Sequence, residues 1–105
     1  MRFVETTIFT KQIVGLLSED EYRALQVALI LRPEQGARIR GSGGLRKMRF
    51  RAKGSGKRGG IRVIYYWYRP EDTIVMLFAY GKNVQDDLTP EQLKALARVI
   101  REEYP

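Results

Sequence analysis

Two neighbouring segments of this sequence, residues 61–68 (IRVIYYWY) and 73–80 (TIVMLFAY), carry apolar side chains at nearly every position. β-branched and aromatic residues favour strands, and a strand that is apolar on both sides is typical of the interior of a sheet. Residues 69–72 (RPED) between them have the composition of a turn. The sequence therefore predicts two central strands joined by a short connection.

Two further segments have strand patterns. Residues 3–8 are rich in β-branched side chains and predict a first strand. Residues 45–51 alternate, so that Met48 and Phe50 point to one side and three cations point to the other. With the two central strands, this second segment predicts a three-stranded meander.

Helices are predicted between and after these strands. Ser18 and Glu21 form a capping-box pattern that begins a helix, and Pro33 ends it. Thr89 and Gln92 form a second such pattern. Residues 9–17 are either a short helix or irregular, and residues 36–44 are a glycine-rich connection. We therefore predict a single α+β domain over residues 1–105, with a curved antiparallel sheet and helices packed on one face.

Positive charge is concentrated in the middle of the chain. The formal net charge is +7 and the sequence pI is about 10.0. Residues 38–69 hold eleven Lys or Arg and no Asp or Glu, while all twelve acidic residues lie in the flanking thirds. Clustered positive charge at this pI is typical of proteins that bind nucleic acid. The alternative is a patch that serves solubility or a protein partner, and the clustering favours nucleic acid.

Histidine and cysteine are both absent. The chain therefore has neither disulfides nor thiolate chemistry, and it lacks the usual general base near neutral pH. A zinc site would need carboxylates alone, which is uncommon, so we predict no metal and no cofactor. Any catalysis must use Lys, Arg, Tyr, Asp or Glu. No apolar run has the length of a membrane span and the N-terminus has no secretory pattern, so we expect a soluble, cytoplasmic protein.

The alternating strand carries a row of cations, Lys47, Arg49 and Arg51. Same-face positions on a strand repeat about every 6.6 Å, close to the phosphate spacing of an RNA strand. The loop that follows, residues 52–60, adds three more cations: Lys53, Lys57 and Arg58. We expect strand and loop to form one positive site. For any single residue the alternative is a solvated edge strand, where charge prevents sheet-to-sheet aggregation.

Two other cations stand at the ends of strands. Arg62 opens a strand that is otherwise apolar, so we expect a partly buried stem and an oriented guanidinium that can hold a phosphate with two hydrogen bonds. Pairing with a helix carboxylate such as Glu91 is the alternative. Gly81 lets the chain leave the next strand, and Lys82 can then face the same basic surface. An exposed lysine in a plain turn is an equal alternative.

Four segments, taken in order, resemble the RelE/ParE toxin superfamily, with the HigB-type toxins as the most similar branch. They are residues 43–49 (GGLRKMR), 57–60 (KRGG), 61–66 (IRVIYY) and 80–83 (YGKN). The resemblance implies a RelE-like fold and a toxin of a type II toxin–antitoxin system. Such a toxin is a ribosome-dependent endoribonuclease that cuts mRNA in the 30S decoding site and is neutralised by a cognate antitoxin. The resemblance also implies that the toxin–antitoxin complex binds operator DNA through the antitoxin.

By position, the resemblance implies that four cations bind and activate the scissile phosphate: Lys47, Arg49, Arg62 and Lys82. We further predict RNA contacts for six other residues: Arg46, Arg51, Lys53, Lys57, Arg58 and Asn83. Two departures from the pattern leave the general acid and base open. Asn83 stands where relatives place another Arg, and residues 88–89 (LT) stand where some place a catalytic Tyr.

The chemistry expected of such a site is attack of a ribose 2′-hydroxyl on its own phosphate, without a metal. Clustered Lys and Arg can stabilise the dianionic transition state of this reaction. We hypothesise that Arg62 stabilises the phosphorane and that Lys82 or Lys47 transfers protons, because crowded cations lower a lysine pKa. Two rival functions stay open. ParE-type relatives inhibit DNA gyrase by binding, and a basic RNA-binding module of the ribosome would not be toxic.

Overall fold

The computed structural model describes residues 1–51 and 60–105. Within these ranges one sheet contains five strands: β1 (Arg2–Glu5), β2 (Ala37–Arg38), β3 (Arg46–Phe50), β4 (Ile61–Tyr68) and β5 (Thr73–Gly81). The helices are α1 (Thr7–Leu16), α2 (Glu19–Leu31) and α3 (Pro90–Glu103). The α+β class and the meander of β3, β4 and β5 are confirmed. In the described parts of the chain, no helix has the length and apolar character needed to cross a membrane.

The sheet is mixed, with the strand order β1-β5-β4-β3-β2. β3, β4 and β5 are antiparallel as predicted, but β1 lies parallel to β5. The predicted antiparallel sheet is corrected at this edge, because side-chain alternation is the same in a parallel and an antiparallel strand. Beyond β1, the edge of β5 is covered by the start of α1. The Thr6 hydroxyl donates to Leu77 O at 2.9 Å, and Gln12 Oε1 accepts from Ala79 N at 2.8 Å.

Helices pack on both faces of the sheet, although the sequence predicted them on one face only. On the α1/α2 face, four helical side chains are buried against β4 and β5: Phe9, Ile13, Leu25 and Leu29. On the opposite face, called the α3 face below, Leu96 and Ile100 pack against Ile64 and Leu77. The physical reason is the two-sided apolar pattern of the central strands, since one layer of helices would leave half of their side chains in water.

A β-bulge in β5 decides which side chains reach each face. The register skips Leu77, which is an extra residue opposite the step from Ile64 to Tyr65. Leu77 and Phe78 consequently both belong to the core on the α3 face. Alternation then resumes one residue out of phase. Tyr80 therefore lies on the α3 face, although the even-numbered residues before the bulge lie on the α1/α2 face.

The predicted helix starts are confirmed. Ser18 Oγ accepts from Glu21 N at 3.1 Å, and Glu21 Oε1 accepts from Ser18 N at 2.8 Å. Thr89 and Gln92 make the same reciprocal pair at the start of α3. For residues 9–17 the sequence leaves helix and irregular structure open, and all of them except Leu17 belong to α1, with Thr6 as the N-cap. Residues 7 and 8, predicted as the end of the first strand, are also part of this helix, because the Thr6 side chain caps it there. Each such cap satisfies an amide that the helix itself leaves unpaired.

Tyr65 joins the centre of the sheet to the connection that follows α2. Its side chain is fully buried. The hydroxyl donates to Pro33 O at 2.7 Å and accepts from Gly36 N at 2.8 Å. A Cβ on Gly36 would lie 2.8 Å from the Tyr65 ring, so the backbone approaches the ring too closely for any side chain. The phenol thus satisfies two backbone groups that water cannot reach.

We predict that Tyr65→Phe lowers the free energy of unfolding by about 1–3 kcal/mol, because a buried amide and a buried carbonyl lose their partner. Urea unfolding of the variant measures this. The control is Tyr66→Phe, whose ring lines an open surface groove where water can replace a lost partner. Equal stability of the two variants would show that the hydrogen bonds of the Tyr65 hydroxyl do not stabilise the fold.

A candidate nucleic-acid interface on the sheet

Three of the predicted site residues lie together on the α3 face. Arg49 is directly opposite Arg62, and Lys47 is directly opposite Ile64. Opposed residues have Cβ atoms about 4.5–5.5 Å apart, so Arg49 and Arg62 are immediate neighbours. Ile64 belongs to the core on the α3 face, which fixes the side on which all three cations lie. We call Lys47, Arg49 and Arg62 the cation group.

A carboxylate also belongs to this surface. Asp87, in the segment before α3, accepts a hydrogen bond from Lys47 Nζ at 3.0 Å and forms an ion pair with it. This hydrogen bond holds the pKa of the Asp87 carboxyl below its ordinary value. The cations of residues 38–69, with no acidic residue among them, predict a positive surface without a carboxylate. The fold corrects that prediction at Lys47, because it brings in an acidic residue from 40 positions along the chain.

The start of α3 holds Asp87 in place. Asp87 Oδ1 also accepts from Leu88 N at 2.8 Å. Gln85 Nε2 donates to Asp87 O at 2.7 Å and to Gln92 Oε1 at 3.0 Å. The same Gln92 oxygen accepts from Thr89 N at 2.9 Å and so completes the capping box. The hydrogen bonds that begin a helix therefore also position a charged group of the site.

Tyr80 lies beneath the cation group. It is directly opposite Arg62 and is 5% exposed. Its hydroxyl is buried and makes no hydrogen bond of standard geometry to the described residues, yet Asp87 and Arg62 are close enough to affect it electrostatically. Burial raises the pKa of Tyr80, the Asp87 carboxylate raises it further, and Arg62 partly opposes the change. Tyr80 is therefore a neutral phenol at neutral pH.

The structure places Lys82 and Asn83 in the turn directly after β5, where both are exposed. Gly81, the last residue of β5, is opposite Ile61, the first residue of β4, so this turn lies at the end of the sheet that carries Arg62. Arg51 is exposed just past the end of β3. These three residues thus lie around the same end of the sheet as the cation group.

Arg46 is not brought together with this group. Arg46 lies on the α1/α2 face, opposite Tyr65. Its guanidinium donates to Glu34 O at 2.9 Å and to Gly36 O at 2.8 Å, contacts that hold the connection after α2. The remaining three predicted contacts lie outside the described residues: Lys53, Lys57 and Arg58.

The arrangement supplies two kinds of chemistry. Guanidinium groups can bind the non-bridging oxygens of a phosphate and stabilise the charge that develops on them. Asp87 and Tyr80 add groups that accept or donate a proton, and neither was identified from the sequence. The surface can therefore bind a phosphodiester and can also move protons beside it.

The Lys47–Asp87 pair should contribute a small, pH-dependent stabilisation. The folded pKa of Asp87 is lowered, so the contribution is complete above the ordinary carboxyl pKa of about 3.9 and decreases as pH falls below it. Because the Asp87 side chain is 65% exposed, we expect at most about 1 kcal/mol. A double-mutant cycle of Lys47→Met and Asp87→Asn, measured by urea unfolding at pH 7 and pH 3, tests this. A coupling energy that does not change with pH would contradict it.

Comparison with known proteins identifies the family of the chain. A sequence model of the RelE toxin of RelE/RelB toxin–antitoxin systems matches residues 9–103. Among solved structures, the chain is similar to a doubly substituted variant of the E. coli toxin RelE in the free state. The TM-score is 0.59 at 14% identity, over 93% of this chain and 94% of the other, which supports the fold. The finer resemblance to HigB-type toxins stays a prediction. The match over residues 9–103 shows that this chain belongs to the RelE toxin family.

Proposed function

We propose that this chain is a ribosome-dependent endoribonuclease that cleaves mRNA by attack of a ribose 2′-hydroxyl on the adjacent phosphate, without a metal. Toxins of the RelE family are ribosome-dependent endoribonucleases. The observation that carries the proposal for this chain is the register that places Arg49 and Arg62 side by side on the α3 face, with Lys47 nearby. A phosphodiester is the ligand that this set of charges fits best.

Arg62 is the residue that we assign to the transition state. It is half-buried at the start of β4, between Arg49 on one neighbouring strand and Tyr80 on the other. A guanidinium whose stem is packed in this way is already oriented, so it loses little freedom when it binds two oxygens of a phosphate. Arg49, which is exposed, adds a second positive charge at the same phosphate.

The structure changes the role that we propose for Lys47. An ammonium that donates to a carboxylate at 3.0 Å is charged, and a charged ammonium binds phosphate or donates a proton but cannot accept one. We therefore propose Lys47 as a phosphate ligand. Asp87 is the carboxylate beside it that can accept a proton from the 2′-hydroxyl, and Lys82 remains our candidate for protonating the 5′-oxygen that leaves.

Dependence on the ribosome fits the modest proton-transfer equipment of the site. An ionised Asp87 with a lowered pKa is a weak base, so much of the acceleration has to come from alignment of the 2′-oxygen with the phosphate. The ribosome can provide that alignment by holding the mRNA in the decoding site. Under this proposal the toxin acts in the cytoplasm, a cognate antitoxin neutralises it, and the complex of the two binds operator DNA through the antitoxin.

We predict that Arg62→Ala lowers the rate of mRNA cleavage on purified ribosomes by about 100-fold or more, as loss of a preorganised charge at the transition state does in other enzymes. Primer extension on a defined mRNA measures discrete breaks. The matched control is Arg23→Ala, which removes the same charge from an exposed position on α2 and should cleave like the wild type.

Two results would contradict the proposal. Intact mRNA after incubation of the wild-type protein with translating ribosomes would exclude cleavage. If the protein also inhibited supercoiling of DNA by purified gyrase, the gyrase-binding alternative would be favoured. If the wild type cleaves mRNA and Arg62→Ala cleaves it at the same rate, the proposed reaction stands but Arg62 has no role in it.

A further inference from the structure

A cavity of about 310 Å³ lies at the edge of β5, and one of its lining residues, Tyr80, is directly opposite Arg62 of the cation group. One wall is the C-terminal part of α1, with Gln12 and Leu16. The floor is the end of β5, and the other wall is the turn after it, with Val84 and Gln85. Among the described residues that line this cavity, none is charged. An uncharged lining that is connected to a cationic surface by one shared residue suits an uncharged part of a ligand whose other part is anionic.

Each wall of the cavity pairs an aliphatic side chain with an amide side chain, and the floor adds the backbone of β5. Leu16 and Val84 supply aliphatic surface, and the Val84 side chain is 76% exposed. β1 pairs with β5 only as far as Met76, so within residues 1–51 and 60–105 no strand pairs with this edge of β5 beyond that point. Gln12 covers Ala79 N, and Gly81 O accepts from Val84 N at 3.0 Å.

Because the N–H and C=O of one strand residue point to the same side, the carbonyl of Ala79 and the amide of Gly81 face the same edge. The cavity thus offers one backbone acceptor and one backbone donor between two aliphatic surfaces. This pattern fits a flat ring with apolar faces and a polar rim.

The cavity is continuous with the cation group through Tyr80. Tyr80 lines the cavity and is directly opposite Arg62, so the two sites are about one side chain apart. Lys82 follows Gly81 at the rim. A phosphate held by Arg62 therefore lies within the reach of one nucleotide from the cavity.

We propose that this cavity binds a nucleobase of the mRNA, from a nucleotide that flanks the scissile phosphate. The inference rests on the proposed function and adds a subsite to it. Leu16 and Val84 contact the faces of the base, and the edge of β5 together with the amides of Gln12 and Gln85 contacts its polar rim. The base is turned out of the RNA strand, and the cavity thereby fixes which phosphate the cation group binds.

The first test blocks the cavity from Gly15, a lining residue of α1 whose Cβ would meet nothing within 4 Å. Gly15→Trp introduces a large ring at the lining of the cavity from a position that has room for a Cβ. The matched control is Val14→Trp, since Val14 is 76% exposed on the same helix and does not line the cavity. We expect about tenfold slower cleavage for Gly15→Trp, in line with the loss of one base contact, and no change for Val14→Trp.

The decisive measurement couples the protein to the RNA. Each nucleotide around the cleavage site of a ribosome-bound mRNA is replaced in turn by an abasic one. For the wild type, one abasic position should slow cleavage by about tenfold. The same abasic position should cause no further loss in Gly15→Trp, because the base has already lost its site.

A second variant covers the case in which Gly15→Trp fails to fold, which thermal unfolding would reveal. Val84→Ala removes one wall of the cavity and should reduce the effect of the same abasic position. Val14→Ala, from an equally exposed valine, should retain the full effect.

Abasic effects that are equal in all variants at every position would overturn the inference. The inference would also be overturned if Gly15→Trp cleaved at the wild-type rate but no longer bound the purified antitoxin, because the cavity would then be a contact site for that protein. Absence of cleavage by the wild type would instead refute the proposed function, so the two failures are distinguishable.

Discussion

The candidate site depends on a single extra residue in the middle of a strand that is buried on both faces. Leu77 has no partner in the register between β4 and β5, and everything after it in β5 is shifted by one position. Without that bulge Tyr80 would point to the α1/α2 face with Met76, and the phenol beneath Arg62 would be absent. Bulges are common beside functional sites because they redirect side chains without breaking the sheet. Here the cost is small, because both Leu77 and Phe78 find apolar surroundings on the α3 face.

A structural motif also positions a site residue at the start of α3, where the helix cap holds a charged group. The amide of Gln85 connects Asp87 to the capping box, so the carboxylate is fixed by hydrogen bonds that the helix needs in any case. Asp87 in turn fixes Lys47 on β3. A loop and a strand that are far apart in sequence are thus joined by a direct ion pair, and such a contact would help the proposed site to align a phosphodiester.

Much of the fold could be predicted, because it follows from local patterns. The capping boxes gave the starts of α2 and α3, and the alternation around Met48 gave the face of Lys47 and Arg49. The direction of β1 could not be predicted, since it depends on which edge the strand joins. The second layer of helices could have been inferred, because β4 and β5 are apolar on both sides. The position of Arg46 also follows from the local pattern. The alternation of β3 places it on the same face as Met48, away from the cation group, so its predicted RNA contact stays a prediction.

The two missed site residues show a different limit. Tyr80 stands in an apolar run where a core position is the better guess, and its face depends on a bulge that no pattern in the sequence marks. Asp87 had a weak signal, because an acidic residue two positions before a helix N-cap lies near a helix start, where negative charge is favourable. A favourable charge at the helix start is enough to account for an acidic residue at position 87, so the pattern does not indicate a functional site. Its contact with Lys47 depends on where α3 packs, which is a property of the whole sheet.

The Lys47–Asp87 pair also changes how RNA affinity should be counted. Cations that neutralise phosphates release counterions, and the salt dependence of binding grows with their number. Lys47 already has an anion at 3.0 Å, so a phosphate that binds it exchanges one negative partner for another and releases less than a full counterion. The non-specific affinity of residues 38–69 for RNA is therefore lower than their eleven cations suggest. In such a surface, selectivity for one phosphate has to come from oriented groups such as Arg62 and from contacts to a base, and only in smaller part from total charge.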